Sequence, residues 1–274
     1  MPLRMLEHLS PVPANELRDY LDDLVARYER PAFIADDPIA FPHAFDDPRD
    51  QEVIGLFAAL LAWGRRATIL NKLAELAERM DFKPYAFVRG FNPVRDAERL
   101  ASFKHRTFRP DDAVALVKAL QAVLHDYGSL EKLFAASLPV NAEHIGPAIQ
   151  GFSDTLLSIV PETPRRMRKH LPRPSSGSAC KRLALYARWM VRPGPVDLGL
   201  WTSVSPAQLV LPLDVHTGRQ ARALGLLERK QDDWRATLEL TERCRALCAN
   251  DPTRYDFALF GLGAYEGKEI PVEV

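Results

Sequence analysis

Apolar residues recur at helical spacing along almost the whole chain. Nowhere do apolar and polar residues alternate convincingly over more than four or five positions. A strand shows period two and a helix period 3.6, so the pattern predicts an all-α fold of about ten to twelve helices. Leu209-Val210-Leu211 comes nearest to a strand, and Pro212 stops it. No internal repeat and no low-complexity segment interrupts the pattern. The 274 residues, 47% of them hydrophobic, suffice for a full core. They are expected to form one compact helical unit over 1–274, divisible into two helical subdomains with the site between them.

The helices can be placed from their punctuation. Leu17, Leu21, Leu24, Val25 and Tyr28 mark a first helix over Ala14–Glu29. Asp46-Asp47-Pro48 supplies an acidic cap and a proline in the first turn, starting a strongly apolar helix that runs to Trp63. Gly64-Arg65-Arg66 breaks it before a further helix at about Ala67–Met80. Pro110-Asp111-Asp112 opens a helix to Tyr127, and Gly128-Ser129 ends it and caps a short one, Leu130–Ser137. Helices are also expected at Glu143–Val160, Ala179–Val191, Val215–Leu224, Asp232–Ala249 and Pro252–Leu259, with Gly261-Leu262-Gly263 breaking the last.

Charge is balanced overall, with 36 Lys+Arg against 36 Asp+Glu. A generic nucleic-acid binder is usually basic, so any such role needs a local concentration of charge. One exists. Thr163–Val196 contains no Asp or Glu and nine basic residues: Arg165, Arg166, Arg168, Lys169, Arg173, Lys181, Arg182, Arg188 and Arg192. Such a run either binds phosphates or faces acids from another segment, and composition alone does not choose.

The three cysteines, Cys180, Cys244 and Cys248, suit a reducing compartment. They are too few for a four-cysteine iron–sulfur cluster. Cys244 and Cys248 lie four apart on one helix, but nothing nearby completes a metal site, and buried apolar cysteine is the better reading. The opening MPLRMLEHLSPVP lacks an apolar signal core, and no apolar run of about 18 residues occurs. The expectation is a soluble, cytoplasmic protein that does not engage membranes. There is no Walker-type loop, GxSxG or HExxH, and no cofactor or metal is expected.

Ser175–Arg219 carries the chemistry. Ser176-Gly177-Ser178 forms a turn before a helix, where glycine lets a ligand approach the backbone and free N–H groups suit a phosphate. More often such a turn is a plain cap. Lys181 follows near the helix start. The helix terminus, neighbouring Arg182 and any burial disfavour its charged form, and a neutral lysine can attack to form a Schiff base. A solvent-facing lysine is the commoner case. After the loop Arg192-Pro193-Gly194-Pro195, Asp214 opens a helix carrying His216 and Arg219. As an N-cap it contributes about 1 kcal/mol; as a held carboxylate it can stabilise positive charge on a reacting sugar.

Hairpin turn, lysine, Gly/Pro loop and aspartate together resemble the helix-hairpin-helix DNA glycosylase superfamily. Leu213-Asp214-Val215-His216 is similar to that superfamily's VDxHV form, with Leu for Val. The interval from Lys181 to Asp214, 33 residues, exceeds the roughly twenty of better-known members and is similar to the archaeal 8-oxoguanine glycosylase branch. The chain as a whole resembles the uncharacterised bacterial DUF2400 type, with Asp251–Gly263 fitting that type closely.

The resemblance implies a bifunctional glycosylase/AP lyase acting as a monomer on double-stranded DNA that contains an oxidised purine or an abasic site. Lys181 would attack C1′ and Asp214 would stabilise the oxocarbenium ion. Ser176, Gly177, Ser178, Arg182, His216 and Arg219 would contact DNA. Trp63, Phe57, Trp189, Trp201, Trp234 and Phe260 are candidates for lining a base pocket. The alternatives are a catalytically inactive nucleic-acid-binding protein of the same fold and a helical interaction protein whose basic run docks on an acidic partner.

Overall fold

A computed structural model of the chain describes residues 14–265; the MPLRMLEHLSPVP opening lies outside them. Among the described residues there are thirteen α-helices and no strand, only isolated bridges. The helices are α1 (Ala14–Tyr28), α2 (Ala40–His43), α3 (Pro48–Leu61), α4 (Arg66–Arg79), α5 (Pro84–Arg89), α6 (Pro93–Leu100) and α7 (Pro110–Asp126). Then follow α8 (Leu130–Ala136), α9 (Gly146–Ser158), α10 (Lys181–Val191), α11 (Val215–Ala223), α12 (Trp234–Leu247) and α13 (Tyr255–Tyr265). None is long and apolar enough to cross a membrane.

The predicted caps act where the sequence puts them. Asp47 accepts from the Arg49 N–H at 2.9 Å, and Ser129 accepts from the Lys132 N–H at 3.1 Å. Pro48 and Pro110 each occupy the first turn of their helices, where the missing N–H has no partner to lose. Three expectations need correction. The count exceeds twelve because α2, α5 and α6 are too short to show a period. Helix α3 ends at Leu61, leaving Trp63 beyond it. Helix α13 runs through Gly261 and Gly263 instead of breaking there.

Helix α3 is buried from Glu52 to Leu61, as an all-round apolar helix must be. It packs against α10, which carries Lys181, and the Tyr186 hydroxyl of α10 donates to the Glu52 carbonyl of α3 at 3.0 Å. The Glu52 carboxylate is buried too. It accepts from the backbone N–H groups of Leu130 (3.1 Å) and Glu131 (2.8 Å) and from the Trp201 indole (2.8 Å). One side chain thus joins α3, the start of α8 and the loop after α10. Cys244 and Cys180 are buried in the core, and burial pushes the Cys180 thiol up to about 12.

The segment before α10 differs from a two-helix hairpin. Between α9 and α10 the chain makes only two 3-10 turns, Arg165–Lys169 and Pro174–Ser176. Pro161, Pro164, Pro172 and Pro174 explain this, since each removes an N–H and biases its predecessor away from the helical region. Gly177 then adopts φ +76°, a left-handed conformation suited to glycine, and α10 follows.

Candidate functional site

Lys181 is the first residue of α10, and no side chain caps that helix. Its predecessor Cys180 is itself left-handed (φ 53°), and the Cys180 N–H donates to Ser178 Oγ at 3.2 Å. The turn is held from α12. The Trp234 N–H donates to the Gly177 carbonyl at 3.2 Å, and Thr237 Oγ1 donates to the Ala179 carbonyl at 3.2 Å. Asp214 arrives on the buried extended stretch Leu209–Leu213, whose Leu211 N–H donates to Thr241 Oγ1, also on α12, at 3.1 Å. Helix α12 therefore positions both the lysine and the aspartate.

The two meet. Lys181 Nζ donates to Asp214 Oδ2 at 2.6 Å across 33 residues of sequence. The other oxygen, Oδ1, accepts from the backbone N–H groups of His216 and Thr217, both at 2.9 Å. The carboxylate thus caps α11 with one oxygen and faces Lys181 with the other. Burial alone would push its pKa up. Lys181 and the two N–H donors outweigh that and hold it below the usual carboxylate range.

The pair lines a cleft of about 880 Å³. Across it, α13 contributes Asp256, Phe257 and Phe260, and the stretch before α2 contributes Phe33 and Asp37. Phe33 stands edge-on to both Phe257 and Phe260, with ring centroids 5.7 Å apart in each case. Asp256 is buried and ion-paired to Arg188. Burial raises its pKa to about 6, against the pull of Arg188 and Lys181 and with the push of Asp214 and Asp197. Asp37 is likewise raised by burial, although the Ile39 N–H and nearby cations, Lys181 among them, oppose it. The cleft therefore brings together Lys181, the firmly ionised Asp214, the carboxyls of Asp37 and Asp256, which bind protons more readily, and an aromatic wall.

A family model described as "Protein of unknown function (DUF2400)" matches residues 37–265. The chain belongs to the DUF2400 family. No curated protein and no solved structure matches it. The match covers the cleft residues from Asp37 to Phe260, and Phe33 lies just before it.

In this DUF2400 chain, Lys181, Asp214, Ser176, Ser178, Arg182 and His216 all line the cleft, whereas Gly177 and Arg219 do not. Arg182 turns its guanidinium inward, donating to the carbonyls of Leu60 (2.8 Å) and Lys169, and burial lowers its pKa to about 10. It ties the strap before α10 to the end of α3. Of the aromatic candidates, Trp63 and Phe260 reach the cleft. Phe57, Trp189 and Trp201 are core, and Trp234 packs edge-on to His144.

The basic run proves divided. Arg166 pairs with Asp111 and Asp112, Arg173 with Asp154, and Lys181 with Asp214. Arg188 pairs with Asp197 and Asp256, and Arg192 with Glu29, Asp197 and Asp251. The acid-facing reading thus holds for these five cations, while Arg165, Arg168 and Lys169 have no carboxylate partner among the described residues. Sequence reasoning missed Asp37, Asp256, Phe33 and Phe257 as cleft residues. A signal did exist for the α13 set: Asp256 and Phe260 are four apart and so share a helix face.

Proposed function

We propose that this protein is a bifunctional DNA glycosylase/AP lyase acting on oxidised purines of the 8-oxoguanine kind, with a fold like that of the helix-hairpin-helix glycosylases in which 3-10 turns stand in place of the hairpin's first helix. The observation that carries the reading is the Lys181–Asp214 contact at 2.6 Å inside a cleft with an aromatic wall. Lysine attack on a sugar carbon needs a carboxylate within reach of the same centre, because positive charge develops on the sugar as the base leaves.

In the proposed reaction Lys181 Nζ, neutral after losing one proton to solvent, forms a bond to C1′ while the C1′–N9 bond breaks, and the departing base takes up the proton that Nζ sheds on bonding, relayed by Asp214. Asp214 Oδ2, 2.6 Å from Nζ, would stabilise the oxocarbenium ion and carry the proton lost from Nζ. Ring opening gives a Schiff base between Nζ and C1′. Loss of a C2′ proton then expels the 3′ phosphate and nicks the strand, and water releases Lys181 unchanged. The target base must leave the duplex stack, and a cleft of about 880 Å³ flanked by Phe33, Phe257 and Phe260 has room for it. Helix α10 starts at Lys181 with no side-chain cap, and an uncapped helix start suits a phosphate.

The test is base release and strand nicking on a duplex containing 8-oxoguanine. Lys181→Gln is expected to bind but not nick. Asp214→Asn is expected to bind and to release base at least about 100-fold more slowly, the scale of losing one transition-state charge partner. Wild-type turnover in either variant overturns that residue's role. Binding by the wild-type protein without base release or nicking points instead to a nucleic-acid-binding protein that does no chemistry.

A further inference from the structure

We propose that the 3-10 turn Arg165–Lys169 is a docking surface for the sugar-phosphate backbone flanking the cleft, with Arg165, Arg168 and Lys169 as its phosphate contacts. The proposal rests on the reading of the cleft as a DNA site and adds where the strand runs as it leaves.

Three observations support it. First, among the described residues these three are the cations of the acid-free run with no ion-pair partner, and all three are exposed. Every other cation of the run is committed to a carboxylate or, for Arg182, to two backbone carbonyls. Second, the three adjoin the site. Arg168 and Lys169 line the cleft that holds Lys181. Arg168 also lines a neighbouring hollow of about 260 Å³, together with Arg165. Arg168 thus stands at the edge of both, beside the site that holds Lys181.

Third, the turn is held in place. Met167 and Leu171 are inserted in the core at 1% and 0% exposure. Arg166 Nε grips Asp112 at 2.8 Å, and Arg182 holds the Lys169 carbonyl. Cations on a fixed backbone lose less freedom on binding than cations on a loop. At a 3-10 rise of about 2.0 Å per residue, Arg165 to Lys169 spans about 8 Å, the axial length of roughly two nucleotides of one strand. The prolines that deny this segment an α-helix thus leave a short basic strap where a two-helix hairpin would have its first arm.

The experiment compares the wild type with a triple variant, Arg165→Gln, Arg168→Gln and Lys169→Gln, for affinity to a duplex containing an abasic-site analogue across a salt series. Because the three side chains are exposed, melting should be unchanged, and this is checked. Neutralising three phosphate contacts should make the slope of log K against log salt shallower by about 2.7 and weaken binding at low salt. Borohydride trapping on a natural abasic site is run in parallel, since it reads Lys181 independently of the strap. A shallower slope supports the surface whether or not an adduct forms. An unchanged slope with trapping intact overturns the surface and leaves the enzyme standing. Absence of wild-type duplex binding overturns both.

Discussion

Replacing Gly261 with alanine would add a Cβ 2.1 Å from Cδ2 of Tyr28, with Cε2 and Cγ each 2.4 Å away. Carbon atoms prefer about 3.5–4.0 Å, so the ring, buried at 6% exposure, must retreat by more than an ångström or push α13 from α1. Overpacking on this scale costs about 3 kcal/mol. Alanine regains about 1 kcal/mol of helix propensity over glycine, leaving a net loss of about 2 kcal/mol. Gly263 is the control. Its added Cβ would sit 3.7 Å from His216 Cβ and 3.8 Å from Gln220 Cγ, ordinary contact distances, so Gly263→Ala should stabilise by up to about 1 kcal/mol. The two variants should therefore differ by about 3 kcal/mol in urea unfolding, or about 6–12 °C in Tm for a domain of this size. Equal shifts, or a more stable Gly261→Ala, would refute the packing of α13 on α1. Because α13 carries Asp256, Phe257 and Phe260 to the cleft, Gly261→Ala should also lower any activity housed there.

The Asp256 carboxyl, raised from 3.8 to about 6, takes up a proton on folding between those values. Its contribution to stability therefore falls as pH rises from about 4 to about 6 and is flat above; Asp256→Asn should remove that part of the slope in a pH series of unfolding curves. Asp214 behaves oppositely. Its lowered pKa adds stability above the unfolded value of 3.8 that is lost as pH falls through the folded one, so Asp214→Asn should flatten the acid limb. Glu52→Gln puts an amide N–H against one of the three donors its carboxylate accepts, and should cost about 1–3 kcal/mol in the same unfolding assay.

The all-α class was legible because helical periodicity persists along the chain and because Asp47, Ser129 and Asp214 each cap the helix that follows. Lys181 and Asp214 were legible as individual residues from the turn and the proline before them. Their meeting was not, because it depends on α12 holding two segments 33 residues apart. Asp37 was invisible as a partner of the cleft and Asp256 showed only as sharing a helix face with Phe260, since only tertiary packing brings residues 37, 181, 214 and 256 together. The glycines of α13 misled for a related reason. Propensity marks them as breakers, but Gly261 is where Tyr28 lies against the helix, so packing overrides the local preference. The basic run could not be sorted from sequence, because the acids that neutralise half of it lie as far away as Glu29 and Asp256.

The most direct test of the central claim is borohydride trapping on a duplex containing 8-oxoguanine or an abasic site. The account predicts a covalent protein–DNA adduct that forms with the wild-type protein, is absent in Lys181→Gln, and maps to Lys181 on peptide analysis. An adduct that persists in Lys181→Gln, or none with the wild type on either duplex, would contradict it.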